Sequence, residues 1–349
     1  MITVFLSHPR DKLDAYFGSN AIQALQKIAR IRFNPEFREL TTQELIAAAQ
    51  DCDALIAYRQ TPGPEILFRE LPRLIAFVRC AVDIRTVDVA AASEHGVLVT
   101  QASPGYVPAV SEWVMAVILD LARGISLYAN AYRRERLLAP FIGRELRGST
   151  LGIIGFGQIG QYLCDVALAF GMRVMVTTPQ PFTERKALLR SPLAVLLAES
   201  DFVVCLAPAN AQTAKMMGEQ AFSAMKRGAF FINASRGELV DDDALLRALD
   251  SGHLGGCALD VGSAPDQMPT PALAAHPRVL ATPHIGGLTL PAIEHQALET
   301  VAQLASLIQG ELPVGAVNAA QATRLKSRWH DIVTRTSQSG PATSLYCKP

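Results

Sequence analysis

Two short stretches of this chain carry residues able to hold and move a proton. Residues 260–267 read DVGSAPDQ, and residues 282–287 read TPHIGG, with one histidine at the centre. An imidazole that shuttles protons needs a partner that fixes its tautomer and steadies its charged form, commonly a carboxylate. Asp260 and Asp266 are the two acids of the first stretch. Either could serve His284, or the histidine could act without a carboxylate.

A third stretch, LGIIGFGQIGQ, sets Gly155, Gly157 and Gly160 in GxGxxG spacing. It follows an apolar run and opens the helical QYLCDVALAF, the context in which such glycines bind a dinucleotide. Gly155 would make the tight turn and Gly157 would let the main chain reach a pyrophosphate. Gly160 would allow close helix–strand packing, and the helix N-terminus would add partial positive charge. The next strand, RVMVTT, ends in Thr177 and Thr178 before Pro179, where an acid would mark NAD. No base follows at once; the nearest are Arg185 and Lys186. The cofactor is therefore NAD or NADP, with the choice open.

Around these stretches, 349 residues suggest two domains. Half of the residues are hydrophobic and 18% are charged, enough apolar material for a sizeable core. Thirty-two basic residues balance thirty-two acidic ones, which gives no electrostatic reason to expect nucleic acid or an anionic membrane as partner. The opening MITVFLSHPR reads as a first strand, too short for a signal-peptide core, and VMAVILDLA is broken by Asp120. Cys52, Cys80, Cys164, Cys205, Cys257 and Cys347 are scattered without a CxxC pair. They read as buried free thiols rather than disulfides or a metal site, in a soluble, cytoplasmic protein.

Strand and helix patterns alternate throughout, which predicts parallel sheets flanked by helices. ITVFL, ARIRF, ALIAY, LIAFVR and VLVT are the strands of a first unit, with AIQALQKIA and TQELIAAAQ among its helices. After the break QASPGYVP, one long helical run, AVSEWVMAVILDLARGISLYANAYRR, leads to a second unit. Its strands are RVMVTT, FVVCLAP, AFFINAS, GCALDV and RVLATP besides the one before the glycines. A helix, AIEHQALETVAQLASLIQG, follows TPHIGGLTLP. The polar stretch from about 320 predicts a weakly structured extension.

Several ordered blocks, GSTLGIIGFGQIG, SDFVVCLAPANAQTAKMM, MKRGAFFINASRGELVDDDALLRAL, GHLGGCALDV and TPHIGG, resemble the D-isomer-specific 2-hydroxyacid dehydrogenase family over about residues 50–318. The resemblance implies an α/β fold of two Rossmann- or flavodoxin-like doubly wound domains, the cofactor domain inserted into the substrate domain. The substrate domain would comprise 1–104 plus 288–318, the dinucleotide-binding domain 105–287, and the extension 319–349. It further implies a homodimer joined through the cofactor domain and the helix containing WVMAVILDLA. The small-molecule substrate would be a 2-oxo or 2-hydroxy acid.

The resemblance places the family's catalytic arginine on Arg236, in NASRG, and its acid–base histidine on His284. A guanidinium can grip a carboxylate and polarise the adjacent ketone with one fixed fork of donors. Asp260 would touch the nicotinamide end of the cofactor. The family's glutamate partner of the histidine falls on Pro265, so Asp266 is expected as a shorter, displaced substitute; a solvated Asp266 or an unpartnered histidine are the other readings. Gln158 and Ile159 would lie under the pyrophosphate, with Thr178 at the adenosine ribose. Ala207, Pro208 and Thr213 would flank the cofactor, while Ala234, Gly286 and Gly287 would contribute main chain.

A second departure lies in VRCAVDIRTVD, where the family carries a glycine-rich loop for the substrate carboxylate. Val82 and Asp83 are the candidate substrate contacts, through their main chain. Arg85 could meet a second acidic group, or pair with Asp83. A formate-dehydrogenase-like oxidase, with Gln267 beside the histidine, and a catalytically weakened NAD(H)-binding scaffold of corepressor type are the competing readings.

Overall fold

The computed structural model describes residues 1–184 and 186–329, so expectations resting on Arg185 or on 330–349 lie outside the described residues. The chain divides into two compact units, Met1–Gly105 with the segment from Leu290 onward, and Tyr106–Thr289.

The first unit carries five parallel strands: β1 (Ile2–Leu6), β2 (Ala29–Phe33), β3 (Ala54–Ala57), β4 (Ala76–Arg79) and β5 (Leu98–Gln101), in the order β2-β1-β3-β4-β5. This is the flavodoxin-like doubly wound order. Both faces of the inner strands are covered, which is why these read as near-continuous apolar runs, while the edge strand β2 exposes Arg30 and Arg32. Ile2, Val4 and Leu6 of β1 point into one core and Phe5 into the other. The helix Thr42–Ala49 begins at a capping box, in which Thr41 and Glu44 satisfy each other's main-chain N–H. The first core is completed from the far end of the chain, by Ala297, Val301, Leu304, Leu307 and Ile308 of the helix Leu290–Gln309.

The stretch beyond 318 departs from the expectation of weak structure. Its described part folds onto the first unit: Ala322 and Leu325 are fully buried and Trp329 donates to the Leu307 carbonyl at 2.8 Å. Arg324 donates to the carbonyls of Phe68 and Leu71 at 3.0 and 2.8 Å, capping the C-terminal end of the helix Glu65–Glu70. Mean composition hid an apolar face at 322, 325 and 329.

The second unit carries β6 (Thr150–Ile154), β7 (Arg173–Thr177), β8 (Leu188–Arg190), β9 (Phe202–Cys205), β10 (Phe230–Asn233), β11 (Gly256–Leu259) and β12 (Val279–Ala281). All pair in parallel, in the order β12-β11-β10-β9-β6-β7-β8. The order reverses at β6, between β7 and β9, the switch point at which open α/β sheets take their ligands. The three-residue β8 is an element that the sequence pattern did not announce. The long helical run is two helices, Val107–Arg123 and Ile125–Arg133, parted at Gly124, whose φ of 64° ends the first of them. Among the described residues no helix is long and apolar enough to cross a membrane.

One buried group of the first unit sets a pH dependence. His8, just past β1, is 3% exposed, packs its ring against Phe17 and Tyr58, and leaves its Nδ1 without a hydrogen-bond partner. Burial drives its pKa from 6.5 down to about 3. Because the folded value lies below the unfolded one, the unfolded chain binds more protons between these limits. Stability is therefore full above pH 6.5 and lost as pH falls towards 3. By pH 5 the unfolded imidazole alone withdraws about 2 kcal/mol. His8→Met should show a smaller acid-induced loss in urea unfolding between pH 7.5 and 5; an equal loss in both proteins would exclude His8 as its source.

Candidate active site

The glycine turn joins β6 to the helix Gln158–Ala169, and its three glycines separate cleanly in what surrounds them. Gly155 has φ +94°, and a Cβ there would stand 2.7 Å from the Ala207 nitrogen. A Cβ on Gly160 would stand 2.8 Å from the Gly155 carbonyl. At Gly157 nothing lies within 4 Å of the Cβ position. Two glycines are thus required by the protein's own packing, and the third keeps space open. No side chain caps the helix at Gly157, so its first N–H groups are left for a ligand. This cradle, with an exposed Gln158 and half-buried Ile159 in the first turn, fits the pyrophosphate of a dinucleotide.

Neighbouring strand ends complete this edge. Ala207 is buried beside Gly155, and its carbonyl accepts from Ser235 Oγ at 2.5 Å. Pro208 is exposed, and its carbonyl accepts from Thr213 Oγ1 at 2.7 Å, which closes the turn after β9. Thr178, half-buried past β7, donates through Oγ1 to Gln180 Oε1 at 2.7 Å.

Arg236 follows β10 in a braced turn. Asn233, 1% exposed, donates to the Arg236 carbonyl at 2.9 Å and accepts from the Ser235 N–H at 3.1 Å. The half-buried Arg236 donates from Nη1 to the Ser235 carbonyl at 2.7 Å. Ala234 precedes this turn, its N–H directed at the Cys205 carbonyl.

Asp260 sits at the end of β11 with 4% exposure. Its Oδ1 accepts from Thr282 Oγ1 at 2.6 Å and from the Ile285 N–H at 2.8 Å, and its Oδ2 accepts from the Gly286 N–H at 2.7 Å. Both of its oxygens engage the loop that bears His284. Gly286 is needed for that approach, since a Cβ there would stand 2.7 Å from Oδ2. A Cβ on Gly287 would stand 3.2 Å from the Tyr106 side chain.

His284 itself has φ +55°, a left-handed conformation costly for a side-chain-bearing residue. Its Nδ1 lies 2.9 Å from the main-chain oxygen of Asp266, not from a carboxylate. A carbonyl oxygen only accepts, so Nδ1 carries the hydrogen and Nε2 is the nitrogen left for chemistry. Asp266 and Gln267 are also left-handed, at φ 57° and 59°, which turns the carbonyl towards the ring. The side chain of Gln267 does not serve the histidine at this position. Its Oε1 accepts from the Gly237 N–H at 3.3 Å and its Nε2 donates to Glu238 at 3.3 Å. Residues 260–268 therefore fasten both the turn that bears Arg236 and the loop that bears His284.

Sequence reasoning singled out Arg236 and His284 but passed over Asn233, Ser235 and Thr282. The polar residues of NASRG and TPHIGG were the available signal.

In the first unit, half-buried Val82 and Asp83 lie in the loop after β4. Arg79, fully buried, donates to the Tyr58 carbonyl and, at 2.7 Å, to Thr86 Oγ1, tying that loop down from beneath. Burial lowers its pKa to about 10, so it remains a cation at neutral pH. Of the two readings of Arg85, the pair with Asp83 is present: Nε approaches both carboxylate oxygens at 3.1 Å and Nη2 approaches Oδ2 at 2.9 Å.

Residues 115–286 match the family described as D-isomer specific 2-hydroxyacid dehydrogenase, NAD binding domain. The chain is 33% identical over 312 residues to glyoxylate reductase from Thermococcus gammatolerans, covering 86% of this chain and 92% of the relative. It is 33% identical over 311 residues to a chloroplastic D-3-phosphoglycerate dehydrogenase of Arabidopsis thaliana, covering 86% of this chain and 52% of the relative, so it spans about half of that protein. Among solved structures, the TT0316 protein of Thermus thermophilus superposes with a TM-score of 0.81 at 29% identity, over 90% of this chain and all of that one.

Proposed function

The chain belongs to the D-isomer-specific 2-hydroxyacid dehydrogenase family, and from that premise we propose that it interconverts a 2-oxo acid and a D-2-hydroxy acid, using NAD or NADP. The observation that carries the proposal is the loop 260–268, which fastens both Arg236 and His284 on the ligand-facing edge of the second sheet. Arg236 holds the substrate carboxylate and draws electron density from the ketone oxygen. When bound, the reduced nicotinamide supplies the hydride. His284 delivers a proton from Nε2 to the oxygen as it gains charge, while Nδ1–H stays on the Asp266 carbonyl. In the oxidative direction the same Nε2 accepts the hydroxyl proton. Gly155, Gly157 and Gly160 hold the dinucleotide, and Asp260 acts as the brace of the His284 loop. Val82 and Asp83 are proposed as further contacts to the substrate, through the main chain of the loop after β4.

A homodimer is part of the proposal. Its support is the apolar surface of residues 125–142, where Ile142 is fully exposed, Leu137 is 85% exposed and Tyr132 is 68% exposed. The preceding helix, by contrast, buries Val114, Met115 and Ile118 in its own unit.

The direct test follows nicotinamide absorbance with glyoxylate, hydroxypyruvate, pyruvate and bulkier 2-oxo acids. Oxidation of the reduced dinucleotide with any of them is the expected result. Tight dinucleotide binding without turnover across the panel would favour the weakened scaffold instead.

A further inference from the structure

β8 carries an arginine that the mechanism above does not use. In the pairing of β7 with β8, Arg190 stands level with Val176, on the same end of the sheet as the glycine turn. Its Nη1 donates to the Thr178 carbonyl and its Nη2 to the Gln180 carbonyl, both at 2.7 Å. Its guanidinium lies 4.5 Å above the ring of Phe182. Phe182 in turn packs at 4.8 Å on Phe156, the residue between Gly155 and Gly157. A continuous contact thus runs from the dinucleotide cradle to an exposed guanidinium at the end of β7.

At that end of the sheet an acid would accept hydrogen bonds from the adenosine ribose hydroxyls and repel a 2′-phosphate. The segment 177–183 reads TTPQPFT and holds none; the first acid beyond it is Glu184. Two of the five guanidinium N–H donors are engaged by the two carbonyls, which orients the fork and leaves three.

We propose that Arg190 recognises the 2′-phosphate of NADP(H), so that this chain prefers NADP(H) over NAD(H). The inference rests on the dinucleotide-binding reading above and sharpens it. Thr178 adds a neutral hydroxyl beside the ribose where an acid would discriminate the other way. A phosphate carries roughly −1.5 to −2 charges at neutral pH, so a charge-assisted pair with this fork contributes specifically to the phosphorylated cofactor.

The test is a fluorescence titration of the wild type, Arg190→Ala and Arg190→Lys with NADPH and NADH, together with displacement by 2′,5′-ADP and 5′-AMP. The wild type should bind NADPH and 2′,5′-ADP more tightly than their counterparts. Arg190→Ala should weaken those two by about 10- to 100-fold and leave NADH and 5′-AMP little changed. Arg190→Lys should fall between. A wild type that prefers NADH overturns the inference while leaving the family chemistry intact. Parallel losses for both dinucleotides also overturn it, reducing Arg190 to a brace of the 178–180 turn. Binding of neither dinucleotide overturns the inference and the cofactor reading together. Wild-type preference is read without a variant, so a misfolded substitution cannot mask the result.

Discussion

His284→Asn is expected to bind the dinucleotide as the wild type does and to reduce a 2-oxo acid about a thousandfold more slowly, within the range that a lost general acid commonly produces. Asparagine can keep a donor on the Asp266 carbonyl, so the loop and its left-handed turn should survive; what disappears is the proton held at Nε2. The loss should therefore fall on kcat and leave the substrate KM almost unmoved. A variant with near-normal kcat would remove His284 from the chemistry and pass the proton to solvent. Because the ring is held by the main-chain oxygen of residue 266, this result tests the imidazole itself. The main-chain oxygen of residue 266 persists whatever side chain is placed there.

Arg236→Ala should have an effect of similar size with a different signature. Removing the fork deletes charge-assisted hydrogen bonds to the substrate carboxylate and to the oxygen that gains charge. Together these are worth about a thousandfold in kcat/KM, shared between a higher KM and a lower kcat. Arg236→Lys restores the charge without the paired geometry and should recover only part of that loss. Dinucleotide affinity should not change, since the glycine turn is untouched. If the alanine variant retained most of its kcat/KM across the 2-oxo acid panel, Arg236 would be a structural cation of the NASRG turn and the proposed substrate class would fall.

Much of the scaffold was legible because its causes are local. Parallel strands covered on both faces are largely apolar, and β1, β3, β4 and β5 can be read from that feature, whereas the edge strand β2 exposes Arg30 and Arg32. The GxGxxG spacing is equally local, and the contacts around Gly155 and Gly160 match the steric reasons given for them. What escaped was decided by partners distant in sequence. Arg190 looks unremarkable in LLRSP, and only the lateral pairing of a three-residue strand carries it to Thr178. The search for a partner to His284 compared acidic side chains, yet the acceptor is a main-chain oxygen whose direction depends on backbone torsions. The three hydrogen bonds from residues 282–286 to Asp260 were equally out of reach, since they depend on how β11 and β12 end side by side. The break at Gly124 could be anticipated from glycine's left-handed preference, but the uniform helical pattern on both sides concealed it.

The first unit takes its core from both ends of the chain: Ile2, Val4 and Leu6 share one apolar cluster with Leu304, Leu307 and Leu325. Synthesis on the ribosome delivers these groups far apart in time. The opening hundred residues emerge with one face of their sheet only partly covered, by Phe17, Ala21 and Leu25, whereas Tyr106–Thr289 follows as an uninterrupted piece that already contains its own core. The middle of the polypeptide can therefore mature first, while the first sheet waits for the helix Leu290–Gln309 to complete the layer that Phe17, Ala21 and Leu25 begin.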